Sequence, residues 1–201
     1  MISTVNRAAE ATPAPPRERI LSAARKLFYS HGIRAVGVEA IAEAAATNKM
    51  TLYRHFGSKD ELIAAYLTDL AKEGDEVWEQ LARDHPGDAN AQLEGWLLYV
   101  EELLTDGGER GCAIANAAVE LREIGHPARQ IIDDYKTRKR NRLVALFREA
   151  GYADPEQLAD EVFLLFEGAR ISIQCCSNGP ALRVVGMLRS LLAEHAPKSR
   201  R

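Results

Sequence analysis

The stretch from Val38 to Leu62, VEAIAEAAATNKMTLYRHFGSKDEL, leaves few options for the chain around it. Val38, Ile41, Ala42 and Ala45 fall at offsets of zero, three, four and seven, which is one apolar face of a helix. Ala46 and Thr47 break that pattern. Asn48 then supplies an N-cap, because its side-chain oxygen can accept from the free backbone N–H groups of a first turn. In the second helix Leu52 and Phe56 lie four apart and face inward. Met50 and Arg54 point directly away from them, flanked by Lys49, Thr51 and Tyr53. Gly57 ends this helix, and Ser58 with Glu61 is a capping box that opens the next. Two short helices, a tight turn and an outward polar and aromatic face make a helix-turn-helix, whose second helix lies in the DNA major groove. Lys59 stands at the start of the third helix, where an ammonium and free amides can meet one phosphate.

The segment Thr51-Leu52-Tyr53-Arg54-His55-Phe56-Gly57-Ser58-Lys59-Asp60-Glu61-Leu62 resembles the recognition segment of the tetracycline repressor (TetR) family of one-component bacterial regulators. The resemblance extends back through Ile41-Ala42 to Ile20, Ala23, Ala24, Leu27, Phe28 and Gly32, and so covers residues 17–67. It implies that Tyr53, His55 and Lys59 contact phosphates and that Lys49, Met50 and Thr51 approach base edges. Arg54 could do either, and Asn48 completes the expected DNA-binding set. Phosphate contacts set affinity and register, whereas base contacts set sequence preference. Two positions depart from the family pattern. Ala46 stands where glycine is usual, in a turn that can require φ > 0, and Gly37 stands where a serine or threonine hydroxyl is common.

The net charge of −3 hides an asymmetry. Residues 1–59 hold nine Lys/Arg against four Asp/Glu, a net +5, while residues 60–201 hold seventeen against twenty-five, a net −8. A basic front and an acidic body suit DNA at one end, although five charges over sixty residues are also ordinary scatter. With 46% hydrophobic and 27% charged residues, the 201-residue chain has the composition of a globular protein rather than a disordered one. Cys112, Cys175 and Cys176 form neither a metal-type spacing nor a disulfide framework, which points to a reducing cytoplasm. No run reaches the roughly 18 apolar residues of a membrane span, and the first fifteen residues lack the core of a signal peptide.

The expected fold is all-α. Residues 1–15, rich in Ala, Thr and Pro, read as a disordered arm, and residues 16–57 as a three-helix DNA-binding domain with Ile20, Ala24, Leu27 and Phe28 in the first helix's core stripe. Residues 58–196 read as a larger helical effector-binding and dimerisation domain, and 197–201 as a loose tail. The helix after Ser58 is expected to bury Leu62, Ile63, Tyr66, Leu70, Val77 and Leu81, with Gly74 inside it costing about 1 kcal/mol relative to alanine. Further helices are expected over Ala89–Leu104, Gly111–Glu123, from Pro127 to Ala150, from Pro155 to about Cys176, and through Val184 to Leu192, with turns at Gly107-Gly108 and Asn178-Gly179-Pro180. Val162–Phe166 is apolar all round, so its helix should be covered on more than one side. The resemblance implies that the last two long helices pair with their copies as a four-helix bundle in a homodimer, which would place two reading heads on a palindromic double-stranded operator.

The resemblance also implies a small-molecule effector bound among the middle helices, which shifts the helix after the recognition motif and releases the DNA. Trp96, Tyr99, Asn116, Glu167, Arg170 and Gln174 are polar-capable groups on otherwise apolar helices and form the candidate pocket set, although each also reads as a core or rim residue. Glu167 and Arg170 are three apart and could pair with each other. Cys112 joins the set: at a helix start near Arg110 its thiol pKa would be lowered, as in an oxidant- or electrophile-sensing repressor, while a packing role predicts a buried, inert thiol. The run Lys136–Arg142 reads as a charged face spread around a helix rather than a second nucleic-acid patch. There is no phosphate-cradling glycine loop, metal-ligand pair or nucleophile motif, so neither catalytic residues nor a cofactor is expected. An architectural DNA-binding protein without an effector is the remaining alternative. It would need less chain than the roughly 140 helical residues that follow the motif.

Overall fold

The computed structural model describes residues 14–106, 110–123, 125–175 and 179–196, and in these the chain is all-helical. Most of the expected arm, the tail, the Gly107-Gly108 turn, Cys176 and Asn178 lie outside the described residues. The helices run in the order α1 Pro16–His31, α2 Val38–Ala44, α3 Lys49–Phe56, α4 Lys59–Asp84, α5 Ala89–Asp106, α6 Ala113–Glu120, α7 Pro127–Glu149, α8 Pro155–Cys175, α9 Gly179–Leu182 and α10 Val184–Glu194.

Local chemistry explains the first four. Asn48 Oδ1 accepts from the Thr51 N–H at 2.9 Å and Ser58 Oγ accepts from the Glu61 N–H at 3.0 Å, so α3 and α4 each open on a side-chain cap. Gly37 occupies the N-cap of α2 and offers no side-chain cap. The turn between α2 and α3 is closed by Thr47 N–H donating to Ala42 O and Ala46 N–H to Glu43 O, both at 2.9 Å. Arg19 of α1 reaches over it and donates to Ala45 O at 3.1 Å and Ala46 O at 3.4 Å, satisfying carbonyls that the end of α2 leaves free.

Ala46 has φ +49, the left-handed region that the family's usual glycine would enter without a Cβ penalty. Ala46→Gly is therefore expected to be neutral or stabilising, by up to about 1–2 kcal/mol, with a raised denaturant midpoint at constant m-value. A clear loss of midpoint would show that the turn is not left-handed in solution.

The apolar core does not divide where the recognition motif ends. One cluster joins Ile20, Phe28, Ile41, Leu52 and Phe56 to Leu62, Ile63, Tyr66 and Leu67 of α4, and continues into Ile114 and Ala117 of α6 and Ala128 and Ile132 of α7. A second holds Trp78, Trp96, Val100, Leu143, Phe147, Val162, Phe166 and Leu188. Helix α4 runs through both, and α7 packs against α4 on one side and α8 on the other. The inner face of α4 differs from the expected one: Leu67, Ala71 and Trp78 are buried, while Leu70 and Val77 face a cavity.

Helix α6 is shorter than the expected Gly111–Glu123. Gly111 has φ +59, which a helix cannot use, and Cys112 is the N-cap at φ −90 and ψ 110. On α8, Val162 and Phe166 are buried but Leu164 is 69% exposed. Leu164, Gly168 and Ile171, at offsets of zero, four and seven, make an open stripe, and Leu182 of α9 and Met187 of α10 are also exposed. The run Lys136–Arg142 is spread around α7 as expected, yet it is paired rather than merely solvated: Arg138 and Arg142 meet Asp75 of α4, Arg140 meets Asp160 of α8, and Lys136 and Lys139 meet Glu167. No helix among the described residues is long and apolar enough to cross a membrane.

Candidate nucleic-acid interface and effector cavity

Leu52 and Phe56 anchor α3 in the core, so its other side has to face out. Asn48, Lys49, Met50, Tyr53, Arg54 and His55 are exposed, Met50 to 84%, and Thr51 is half-buried. Among the described residues Met50 is not packed into the core, and Arg54 and His55 beside it make no side-chain hydrogen bond or ion pair. Three residues of the expected set use their side chains within the chain: Asn48 in its cap, Lys49 and Lys59. Lys49 Nζ lies 2.6 Å from Glu39 Oε1 and over the Tyr53 ring, an arrangement that is fully open to solvent and weak.

Lys59 departs from the expectation. Its Nζ donates to Ile33 O at 2.8 Å, and partial burial lowers its pKa, with Asp60 and Glu120 opposing the shift. The first turn of α4 packs under the α1–α2 connection, which turns this ammonium inward. A phosphate would have to draw it away from that carbonyl.

Behind this unit lies a cavity of about 550 Å³, a size suited to a small molecule. Ser22, Arg25 and Tyr29 of α1 line it, with Tyr66, Leu70 and Gly74 of α4, Tyr99 of α5, Tyr135 and Lys139 of α7 and Arg170 of α8; Cys112 and Ile114 close one wall. A Cβ at Gly74 would collide with the Tyr135 hydroxyl and ring, so a larger residue here would have to displace that side chain. Burial raises the pKa of Tyr66 to about 12, and raises those of Tyr99 and Tyr135 too, so these phenols stay protonated.

Of the seven expected ligand residues, Tyr99, Cys112 and Arg170 line the cavity. Trp96 does not: at 1% exposure it is stacked on Trp78 at 5.9 Å and tilted against Phe166 at 5.8 Å, in the second core. Asn116 and Gln174 do not line the cavity either. Gln174 Nε2 donates to Asn116 Oδ1 at 3.0 Å and Asn116 Nδ2 to Arg110 O at 2.8 Å, a polar strut between α6 and α8 outside the cavity. Glu167 and Arg170 do not pair, since Glu167 turns to Lys136 at 2.5 Å and Lys139 at 3.5 Å, while Arg170 donates to Gly111 O at 2.7 Å. Lys139, which the sequence pattern places on a solvated face, is 7% exposed and sits 3.8 Å from the Phe166 ring centroid.

Cys112 meets one of the two conditions for a reactive thiol. Burial acts to raise its pKa, but Lys136, 3.7 Å from Sγ, and Arg170 outweigh it and hold the pKa below the ordinary value. The other condition, exposure, is absent, because the residue is only 6% accessible.

The cavity walls are tied to the recognition unit at several points. Arg25 of α1 clasps Glu73 of α4, with Nη2 to Oε2 at 2.5 Å. Arg110 Nη1 donates to Ser30 O at 2.7 Å, Arg34 N–H to Glu120 Oε2 at 2.8 Å, and His126 Nε2 lies 3.4 Å from Asp60 Oδ1. None of these ties was legible in the sequence, because each joins residues far apart in the chain.

Residues 20–66 match the family described as bacterial regulatory proteins, tetR family. The HTH-type transcriptional regulator UidR of Escherichia coli K12 is 43% identical over 53 residues, which span 26% of this chain and 27% of that relative. The HTH-type transcriptional regulator YjdC of the same organism is 27% identical over 153 residues, spanning 76% of this chain and 80% of the relative. The crystal structure of SCO4454, a TetR-family transcriptional regulator from Streptomyces coelicolor, superposes with a TM-score of 0.84 at 24% identity, over 90% of this chain and 96% of that one. The similarity in sequence is strongest over the motif helices, and the similarity in fold extends through the helical body. With a helix-turn-helix on an all-α body, the chain matches the TetR family of bacterial regulatory proteins in sequence over residues 20–66 and shares the fold of a TetR-family regulator over 90% of its length.

Proposed function

We propose that the protein is a transcriptional repressor that binds a palindromic operator as a homodimer in the cytoplasm and leaves it when a small molecule fills the cavity. The observation that carries this reading is the shared wall. Ser22, Arg25 and Tyr29 belong to the recognition unit, Tyr135, Lys139 and Arg170 belong to the body, and all six line one cavity that α4 crosses. A ligand there would bias the setting of α1 and α4 against α6 and α7, which is a coupling between two distinct sites.

The open stripe of Leu164, Gly168 and Ile171, with Leu182 and Met187 beside it, supports pairing of α8 and α10 with their copies. Such a two-fold pair sets two recognition helices about 34–36 Å apart, one turn of DNA. In each half-site Met50 and Thr51 would approach base edges, with Asn48 and Lys49 at the helix start, while Tyr53, Arg54 and His55 would reach the phosphates. Lys59 would join them after leaving Ile33 O.

The test is a duplex selected in vitro from random sequence, titrated against the full chain at several salt concentrations. The affinity is expected to fall steeply with salt and the selected sequence to be palindromic. Arg54→Ala is expected to flatten the slope of log K against log salt by about 0.9 for each phosphate that the arginine neutralises. Binding without sequence preference would overturn the regulator reading in favour of an architectural one. A monomer on a single half-site would overturn the dimer.

A further inference from the structure

The charges around the cavity are unbalanced, and the imbalance defines a ligand class. Lys139 and Arg170 line the cavity and Lys136 Nζ lies 3.7 Å from Sγ of the lining Cys112, and Glu167 is the single carboxylate within ion-pair distance of any of these three cations among the described residues. Glu167 is shared by both lysines. The Arg170 guanidinium has five N–H donors, and its protein partner is one neutral carbonyl, Gly111 O. Near the mouth Glu73 is held by Arg25, with Lys26 beside them, so no free carboxylate waits there for a cation. Cations set in a low-dielectric wall with too few anions are costly, and a bound anion would offset that cost.

The rest of the wall mixes tyrosines with aliphatic residues such as Leu70, Val77, Leu103 and Ile114. No hydrogen bond among the described residues uses the hydroxyls of Tyr66, Tyr99 or Tyr135, and no buried polar side-chain atom is left unpaired, so these hydroxyls open onto the space they line. As protonated phenols they donate to an anion, and their rings offer flat apolar surface for a planar group.

We propose, resting on the reading of this cavity as the effector site, that the effector is a small aromatic anion, a carboxylate or an ionised phenol, with its charged group between Lys139 and Arg170 and its ring among Tyr66, Tyr99 and Tyr135. A cationic amine placed there would meet two like charges, Lys139 and Arg170, in the wall. A neutral ring would fill the apolar part and leave the guanidinium with its one carbonyl. The same placement lays the ligand against α4 at Gly74 and against Tyr135 of α7, whose side chain packs on Gly74.

The experiment titrates the full chain with benzoate, salicylate and naphthoate, with the matching amides, and with benzylamine, followed by calorimetry and by the shift in melting temperature. At least one acid is expected to bind and raise the melting temperature, its amide to bind about tenfold more weakly or worse, and benzylamine not to bind. Lys139→Met and Arg170→Gln, made separately so that one folding failure leaves the other, are each expected to abolish the preference for acid over amide. Equal binding of acid and amide, a preference for the amine, failure of all three acids to bind, or an acid preference that survives both substitutions would overturn the proposal. The selected duplex is titrated in parallel. An acid that binds with the expected preference but leaves DNA affinity unchanged upholds the anion site while overturning the release reading, so the two fail separately.

Discussion

Replacing Gly111 by alanine is expected to destabilise the protein by roughly 2–5 kcal/mol, the sum of a left-handed backbone penalty and an overpacking penalty. Gly111 has φ +59, and a Cβ built on it would collide with the backbone carbonyl oxygen of Arg170 and stand 2.8 Å from Gln174 Nε2. The first obstacle belongs to the body of α8 and cannot rotate aside as a side-chain tip would. Relief would have to come from parting the α6 start from α8, which stretches the bond from Arg170 to Gly111 O and opens the cavity wall at Cys112. Gly125→Ala is the control. Its φ is +91, but nothing lies within 4 Å of the added Cβ, so only the backbone penalty of about 1–2 kcal/mol applies. Urea midpoints at constant m-value give the comparison. If Gly111→Ala loses no more stability than Gly125→Ala, the close approach of α6 to α8 is not a feature of the folded protein in solution.

Lys139→Met is expected to remove a pH dependence worth roughly 2–4 kcal/mol between pH 8 and 10.5. Burial lowers the Lys139 pKa from 10.5 to about 8, with Lys136 and Arg170 pushing the same way and Glu167 resisting. Below pH 8 the lysine is charged in both folded and unfolded chains, and the cost of burying that charge is fully present. From pH 8 to 10.5 the unfolded chain holds the proton that the folded one has released, so the wild type gains stability as pH rises. Above 10.5 both forms are neutral and this gain is complete. Methionine fills a similar volume with nothing to titrate, and Glu167 keeps Lys136 at 2.5 Å, so the substitution leaves no orphaned carboxylate. The unfolding free energy of the variant minus that of the wild type should therefore fall across this window, since the variant is favoured most at the lower pH. Parallel curves would mean that Lys139 is hydrated in the folded state.

The recognition helix was legible in the chain because its determinants are local. Asn48 caps the amide of Thr51, three residues on, Ser58 caps that of Glu61, and the four-residue spacing of Leu52 and Phe56 fixes which side of α3 is turned inward. The left-handed φ at Ala46 was suggested by the glycine usual at that place in the resembled family, while the hold of Arg19 on the turn, 26 residues away, was not. The three expected residues that line the cavity, Tyr99, Cys112 and Arg170, were found by type and position on apolar helices. The other cavity residues carried no such signal. Tyr66 read as core, Gly74 as a weak point in a helix, and Lys139 as one cation in a charged run.

Tertiary structure alone decided those roles. Helical periodicity specifies which residues share a face, but not which neighbour meets that face or how closely. Lys59 finds a carbonyl 26 residues away, and Asn116 accepts from Gln174, 58 residues away. Trp96 lies against Trp78 in the second core because α4 and α5 cross there. The sequence by itself determined the helices and the outward face that would read DNA. The cavity and its excess of positive charge exist only where α1, α4, α6, α7 and α8 converge, since charge balance in a buried site depends on distances between residues that the chain keeps far apart.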